Sequence, residues 1–506
     1  MSSDAAPTAL PTPPKTEAEL RFDELRRQVG IVAGPLMFLL VLAWPFTSLS
    51  PEAHRLAAVM ALVIVFWITE ALPLAVTSLL GPSLAIVLQV APAGATFQPF
   101  ASTTIFLFIG SFILAQALFV HRVNERVAFG VLSLKIVGAK PTRILIAYGL
   151  LAAFLSAWMS NTATAAMLVP IGLSLIRFME SEADIPKKYG TALMLITTYC
   201  CSRGGMATPV GTPPNLIAVG MISEQLDVRI TFVQWMLFSV PIVLVLLAIV
   251  LAYLSWAGNA GVDEIPGTDK IIAKRKAALG PWRRGEINAV IAFCVTVVLW
   301  VGPGLLALVL GREHPVTMSV LASVPEEVAA MIGVFLLFLL PISKTERSTI
   351  TWRQAAQIDW GTILLFGGGL ALGALAASTG LAQAVGEGIT GLVPTSDVAA
   401  LTFAAALFTV VLSETMSNTA ATNISIPIVI SIAMASGVNP IIPAITSALA
   451  ASVADALPVS TPPNAIVYAS GRVTITDMIR YGILMDLIAV TVVPGLALLT
   501  IPLFLR

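Results

Sequence analysis

One tripeptide occurs twice in this chain, at Ser160-Asn161-Thr162 and Ser417-Asn418-Thr419, 257 residues apart. Each copy is followed by a second shared string, Thr212-Pro213-Pro214-Asn215 and Thr461-Pro462-Pro463-Asn464, 249 residues apart. The register reaches beyond these strings. Thr104–Gly110 reads TIFLFIG where Thr362–Gly368 reads TILLFGG, and SNTATAAMLVP from Ser160 parallels SNTAATNISIP from Ser417. One half of the chain repeats the other, and the repeated strings are its polar, Pro-interrupted parts.

The surroundings of those strings are apolar. Of 506 residues, 57% are apolar and 11% charged, with a mean hydropathy of +0.92. A soluble domain carries about 25% charged residues. Runs such as Ile31–Ala43, Trp235–Leu254, Ile287–Val309 and Tyr481–Leu505 reach or approach the length that crosses a roughly 30 Å hydrocarbon core. The fold class is therefore an all-α polytopic membrane protein, embedded in a lipid bilayer. The formal net charge is zero, so nothing suggests a nucleic-acid partner. The three cysteines, Cys200, Cys201 and Cys294, form neither a disulfide framework nor a zinc spacing. Residues 1 to about 20, rich in Pro, Ala, Ser and Thr, read as a disordered tail, and Glu17–Arg27 as a short charged helix. No signal-peptide pattern is present.

Hydropathy predicts eleven spans, near 31–49, 55–71, 74–91, 101–120, 188–221, 233–255, 285–309, 327–341, 360–378, 441–469 and 481–504. Two further apolar regions, 143–179 and 397–436, are each too long for one span and are each broken near the middle by a Ser-Asn-Thr tripeptide. They read as helical hairpins that enter and leave on one side, since non-helical backbone at membrane depth survives only where protein or water covers it. With the N-terminus inside, 23 of the 28 Lys and Arg residues fall in cytoplasmic segments. Arg55, Arg229, Arg312 and Arg506 fall outside and Arg203 within a span. This positive-inside bias predicts a cytoplasmic N-terminus and an external C-terminus. The first hairpin then opens from the cytoplasm and the second from outside, giving an inverted pair. Two long core helices with a small-residue seam would share the hydropathy, but would not need the matched Asn and Pro-Pro-Asn strings.

At a hairpin tip one half-helix starts, presenting free N–H groups and the positive end of its dipole. That end is an anion site, and Asn161, Thr162, Asn418 and Thr419 add side-chain donors. Two tips meeting near the midplane can grip two carboxylates. The Thr-Pro-Pro-Asn breaks work with the opposite sign: paired prolines remove donors and stop helix continuation. Carbonyls upstream, at Gly211 and Ser460, are left to form a cage for a hard cation with Asn and Ser oxygens. Duplicated broken helices of this kind mark a transporter's binding site. No Lys or Arg occupies the tips, and a helix dipole is worth about half a charge, so bound cations are the simplest balance for a dianion.

In these residues the chain resembles the divalent anion/sodium symporter family, the INDY-type di- and tricarboxylate transporters. The contexts SAWMSNTATAAMLVP, LSETMSNTAATNISIP, ATPVGTPPNLI and LPVSTPPNAIV carry the likeness. The resemblance implies a homodimer of protomers with eleven transmembrane helices and two re-entrant hairpins, working as an elevator. Its scaffold would comprise residues 29–140 and 285–380, and its moving transport domain residues 141–256 and 381–506. A cytoplasmic tail at 1–28 and a linker at 257–284 complete the plan. Carried over by motif position, substrate carboxylates meet Asn161, Thr162, Asn418, Thr419 and the Thr461-Pro462 loop, with Thr212 and Pro213 in the matching place. One Na⁺ site would draw on Ser156, Ser160, Asn161 and Gly211. The other would draw on Ser413, Met416, Asn418 and Ser460, Met416 and Ser460 acting through carbonyls.

Arg203 and Asp455 depart from the family pattern, nine residues before Thr212 and six before Thr461. Ionisable groups inside a membrane default to a functional reading. Two readings stand open: a structural Arg203–Asp455 pair or a snorkelling Arg203, or an Arg203 whose fixed charge replaces one Na⁺ and favours exchange. Glu414, three residues before the second tripeptide, reads as a cap or an interfacial residue, and Asp455 as the lone membrane aspartate. The leading function is Na⁺-coupled transport of C4-dicarboxylates, with tricarboxylates also open, across a bacterial inner membrane. A Na⁺-independent dicarboxylate exchanger and a carrier of sulfate or another inorganic dianion are its rivals. An intramembrane enzyme lacks a His, Lys or paired-Asp constellation, and a passive channel would not need the inverted symmetry.

Overall fold

Helix boundaries fall where the sequence supplies caps and imino acids. In a computed structural model describing residues 17–311, 313–390 and 397–505, the described residues form helices and connecting turns, with no strand. In chain order the first helices are α1 (Glu17–Ala43), α2 (Pro51–Thr69), α3 (Leu74–Val87), α4 (Ala93–Phe97), α5 (Thr103–Val120) and α6 (Val123–Leu132). Then come α7 (Pro141–Ser156), α8 (Asn161–Glu182), α9 (Lys187–Gly205), α10 (Pro213–Leu226), α11 (Phe232–Ala257) and α12 (Thr268–Ala278). The second half begins with α13 (Arg284–Leu310), α14 (Pro315–Ser323), α15 (Glu326–Leu339), α16 (Trp352–Ala355), α17 (Trp360–Thr379) and α18 (Leu381–Thr390). It closes with α19 (Val398–Thr415), α20 (Asn418–Ala435), α21 (Ile441–Ala451), α22 (Pro462–Ala469) and α23 (Ile475–Phe504).

Capping boxes at Thr231/Gln234 and Thr474/Asp477 start α11 and α23, the two long helices that pack on each other. Such a box satisfies two orphan N–H groups reciprocally. Around this pair lie α7, α9, α19 and α21, while α1–α2–α3–α17 and α5–α15–α13 form the other packed rows. The rows meet where α17 touches α10 and α20 and where α11 touches α13. At that last contact Trp158, Phe232 and Trp300 stack in sequence, with ring centroids 6.2 and 4.9 Å apart.

Several boundaries differ from the sequence reading. The charged segment from Glu17 is continuous with the first span, because nothing between Arg27 and Ile31 breaks a helix; that span stops at Ala43 rather than 49, ahead of Pro45. Residues 1–16 of the expected tail, with Arg312 and Arg506, lie outside the described residues. The 74–91 span contracts to the 14 residues of α3. The 327–341 span gains α14 in front of it, with a 56° bend at Val324-Pro325. The 257–284 linker contains α12. Among the described residues ten helices are long and apolar enough to cross a membrane, or eleven if the α14–α15 pair is one span. That set includes the hairpin legs α8, α19 and α20, so it is not the same eleven that hydropathy predicts.

Both hairpins are present. The legs of the first, α7 and α8, are tied by the Tyr148 hydroxyl donating to Leu168 O. Its two outer ends lie on one side: Tyr189 Oη donates to Pro141 O at 3.1 Å, and Glu180 meets Arg472 Nη1 at 2.5 Å. The legs of the second, α19 and α20, meet through Leu401 and Ile432 in one apolar cluster.

Candidate functional site: hairpin tips and broken helices around one cavity

The polar strings begin helices. Ser160 and Ser417 are N-caps whose Oγ atoms accept from Ala163 N and Ala420 N, each at 3.2 Å. Asn161 and Asn418 therefore occupy the first helical position, and Thr162 and Thr419 the second. The paired prolines do likewise. Thr212 and Thr461 are N-caps with φ of −148° and −142°, and the prolines fill the first two positions of α10 and α22. A proline there lacks only an N–H that would go unpaired anyway. The sequence reading placed the helix breaks at the prolines. They lie upstream, at 206–212 and 452–461, where α9 and α21 have already ended.

The last residue of each Thr-Pro-Pro-Asn string closes the break. Asn215 Nδ2 donates to Gly205 O at 2.9 Å and Thr208 O at 2.7 Å. Asn464 Nδ2 donates to Ala454 O at 3.2 Å and Leu457 O at 3.0 Å, the same positions counted back ten and seven residues. The tips repeat as faithfully: Ser156 Oγ donates to Asn161 Oδ1 at 2.5 Å, and Ser413 Oγ to Asn418 Oδ1 at 2.8 Å.

Each tip docks on its own break. In the first half, Thr208 Oγ1 donates to Ala157 O at 2.5 Å. A Cβ on Gly205 would sit 2.5 Å from Asn161 Oδ1 and 3.2 Å from Gly211 O, so only glycine lets these oxygens gather. In the second half, Ser413 Oγ lies 2.7 Å from Ala451 O, and Ser460 Oγ donates to Ala454 O at 3.1 Å. The result is two clusters of neutral oxygen atoms, one behind each tip. All-oxygen neutral donor sets suit a hard cation. Ser156, Gly211, Ser413 and Met416 are buried in or beside these clusters, Met416 as the C-cap residue of α19.

In front of the tips lies a single cavity of about 1740 Å³. Ser160, Asn161, Thr162, Thr212 and Pro213 line it from the first half, and Ser417, Asn418, Thr419, Ser460, Thr461 and Pro462 from the second. It continues to His121, Arg122, Arg275 and Arg283, all in segments that the charge distribution assigns to the cytoplasm. Sequence-predicted substrate positions thus face one space, with the predicted cation positions at or behind its wall.

Arg203 and Asp455 do not line that cavity. They face each other with 1% and 0% of their side chains exposed, and Arg203 Nη1 donates to Asp455 Oδ1 at 2.5 Å while Nη2 bonds Oδ2. The guanidinium is neutralised in place, which is the structural-pair reading. Glu414 acts as a cap, on the second break rather than on its own helix. Its two carboxylate oxygens accept from Ala456 N at 2.8 Å and Leu457 N at 3.0 Å. Asp455 is also not the lone membrane aspartate. Asp486, on α23, accepts from Asp455 N at 3.1 Å. The signal for Asp486 was a single acid in the apolar run Tyr481–Leu505.

A helical membrane protein with two hairpin tips and two broken helices around one cavity is a solute transporter. The family model for the sodium:sulfate symporter transmembrane region matches residues 26–505, and the chain belongs to that family. A sodium-dependent dicarboxylate transporter, SdcS, of Staphylococcus saprophyticus is 33% identical over 484 residues, covering 92% of this chain and 89% of the relative. The SdcS of Staphylococcus aureus is 32% identical over 475 residues with the same coverage. Two solved transporters share the fold. The YdaH transporter of Alcanivorax borkumensis has a TM-score of 0.54 at 16% identity, covering 96% of both chains. MtrF of Neisseria gonorrhoeae has a TM-score of 0.56 at 14% identity, covering 91% of this chain and 97% of its own.

Proposed function

We propose that this protein carries C4-dicarboxylates across the bacterial cytoplasmic membrane together with Na⁺. The observation that carries the reading is the single cavity bounded by both Asn-Thr tips and both Thr-Pro pairs. One carboxylate is held by Asn161, Thr162 and the start of α8, the other by Asn418, Thr419 and the start of α20. Thr212-Pro213 and Thr461-Pro462 close the flanks. Na⁺ is co-transported cargo. One ion is held among Ser156, Ser160, Asn161 and Gly211, the other among Ser413, Met416, Asn418 and Ser460. The cations lie behind the tips, where their charge offsets the dianion through the tip itself.

The relatives named for sodium-dependent dicarboxylate transport, at 32–33% identity, support the substrate class and the coupling ion. The neutral Arg203–Asp455 pair favours symport over exchange, since Arg203 has no free charge to stand in for a cation. The cavity's reach to His121, Arg122, Arg275 and Arg283 supports an inward-open state with the N-terminus in the cytoplasm. In the elevator reading, residues 141–256 and 381–506 move as a body against a scaffold of 29–140 and 285–380 held in a homodimer. The segment 257–284, with α12, is the connector.

Labelled succinate uptake into proteoliposomes tests the reading, with and without an inward Na⁺ gradient and with empty or dicarboxylate-filled vesicles. Uptake into empty vesicles that needs Na⁺ is the expected result. Uptake confined to filled vesicles and indifferent to Na⁺ would make the protein an exchanger.

A further inference from the structure

The Arg203–Asp455 pair joins the two halves of the repeat at a point where neither residue meets the cavity. Arg203 sits two residues before Gly205, whose carbonyl borders the first oxygen cluster. Asp455 directly follows Ala454, whose carbonyl takes the Ser460 hydroxyl and the Asn464 amide in the second cluster. Five residues earlier, α9 reaches the second half again at Asn464, the residue that clamps the second break, where Thr198 Oγ1 donates to Asn464 Oδ1 at 2.5 Å. From the far side, Asp486 holds Asp455 N at 3.1 Å. Close approach of α23 depends on Gly482, because a Cβ there would lie 2.5 Å from Ala456 Cα. Below the guanidinium lies the Tyr199 ring, 5.6 Å away.

We propose that Arg203, Asp455 and Asp486 are positioning residues that hold the two cation clusters in register with each other, an inference that rests on the Na⁺-coupled reading above. A buried ion pair adds little net stability over an apolar replacement of the same volume. What it supplies is a fixed distance and angle, and here the fixed parts are the carbonyl-bearing ends of α9 and the second break. Three contacts define the strut: a bidentate fork across the halves, a backbone N–H to Asp486, and the Thr198 hydroxyl on Asn464, with α9 running from Thr198 to Gly205. With the strut in place, filling one cluster stiffens the wall of the other. Without it, each break relaxes on its own and each cluster binds Na⁺ alone.

The test is the Na⁺ activation curve of succinate uptake by the full-length protein in proteoliposomes. Four proteins are compared: the parent, Asp486→Ala, Asp486→Asn, and the double variant Arg203→Met with Asp455→Leu, which removes both members of the ion pair together. Asp486→Ala and the double variant should raise half-saturating Na⁺ about tenfold and flatten the curve. Their maximal rate at saturating Na⁺ should stay within about twofold of the parent. Asp486→Asn keeps an acceptor for Asp455 N–H and should behave as the parent. Should Asp486→Ala fail to reach the membrane, the double variant carries the same test. Unchanged Na⁺ curves overturn the strut, as does a lower maximal rate at unchanged half-saturating Na⁺. So does an Asp486→Asn variant as impaired as Asp486→Ala. A parent curve flat in Na⁺ is distinguishable from all of these, and it removes the symport reading and the strut together.

Discussion

At the first break, Trp235 Nε1 donates to Met206 O at 3.0 Å and Ser239 Oγ donates to Ala207 O at 3.0 Å. Neutral donors on α11 hold backbone carbonyls. At the second break the residues in the same register are Asp455 and Ala456, and there the backbone N–H groups are held, by Asp486 on α23 and Glu414 on α19. The partners of the break have swapped polarity, from donors on carbonyls to carboxylates on amides. Yet the parts nearest the cavity are alike: the Ser–Asn bond at each tip, the Asn clamp ten and seven residues back, and the paired prolines. The cavity side of the repeat is bound by what it must hold, whereas the rear has only to be held, and two chemistries can do that. A second divergence fits the same rule. Thr198 donates to Asn464, but their counterparts at the same offset, Ser447 and Asn215, are both buried, and each leaves an oxygen unpaired among the described residues.

The comparison breaks first at the tips. Asn161→Ala and Asn418→Ala should each lower succinate transport efficiency roughly a hundredfold, the loss of about 2–3 kcal/mol expected for a hydrogen bond to a charged group. Uptake at limiting succinate measures this, and a tip whose removal is tolerated would show that the halves are unequal at the cavity too. Next comes Gly205→Ala. Its Cβ would meet Asn161 Oδ1 at 2.5 Å, and overpacking costs about 1–3 kcal/mol. Half-saturating Na⁺ should rise with it, while the same change at Ala454, which already bears a Cβ, has no equivalent.

The clamps sharpen the contrast between halves. Asn464 also accepts from Thr198 and donates to Ser460 Oγ at 3.0 Å, bonds that Asn215 lacks. Asn464→Ala should therefore cost about 1 kcal/mol more than Asn215→Ala, read as the larger fall in melting temperature of the purified protein. Equal falls would mean that the cross-half bond carries no weight. Smallest in its effect on Na⁺ activation is Trp235→Phe, which removes the donor to Met206 O and shrinks a fully buried side chain, for about 2 kcal/mol of stability. Its Na⁺ curve should stay close to the parent's, in contrast with Asp486→Ala at the matching place.

Much of this was legible in the sequence, for a physical reason. Asn161, Asn418 and the Thr-Pro-Pro-Asn strings are polar groups in an apolar chain, and a polar group at membrane depth must have a partner or a use. Their recurrence at near-constant spacing points to both tips serving one site. The offset of the breaks was not legible, because proline reads equally as the end of one helix and the start of the next. Nor was the polarity swap behind the breaks: Met206 and Ala207 act through backbone carbonyls, whose partners no side-chain pattern reveals. Asp486 was visible as a lone acid in an apolar run, but its partner is a backbone N–H 31 residues away. The α14–α15 bend was hidden by a hydropathy profile that registers only the second arm.

Equilibrium binding of labelled succinate to the purified protein in saturating Na⁺ tests most directly whether both tips grip one substrate. One molecule should bind per chain, and either Asn161→Ala or Asn418→Ala alone should weaken binding roughly a hundredfold. Two molecules per chain, with each single variant retaining one at full affinity, would contradict the account.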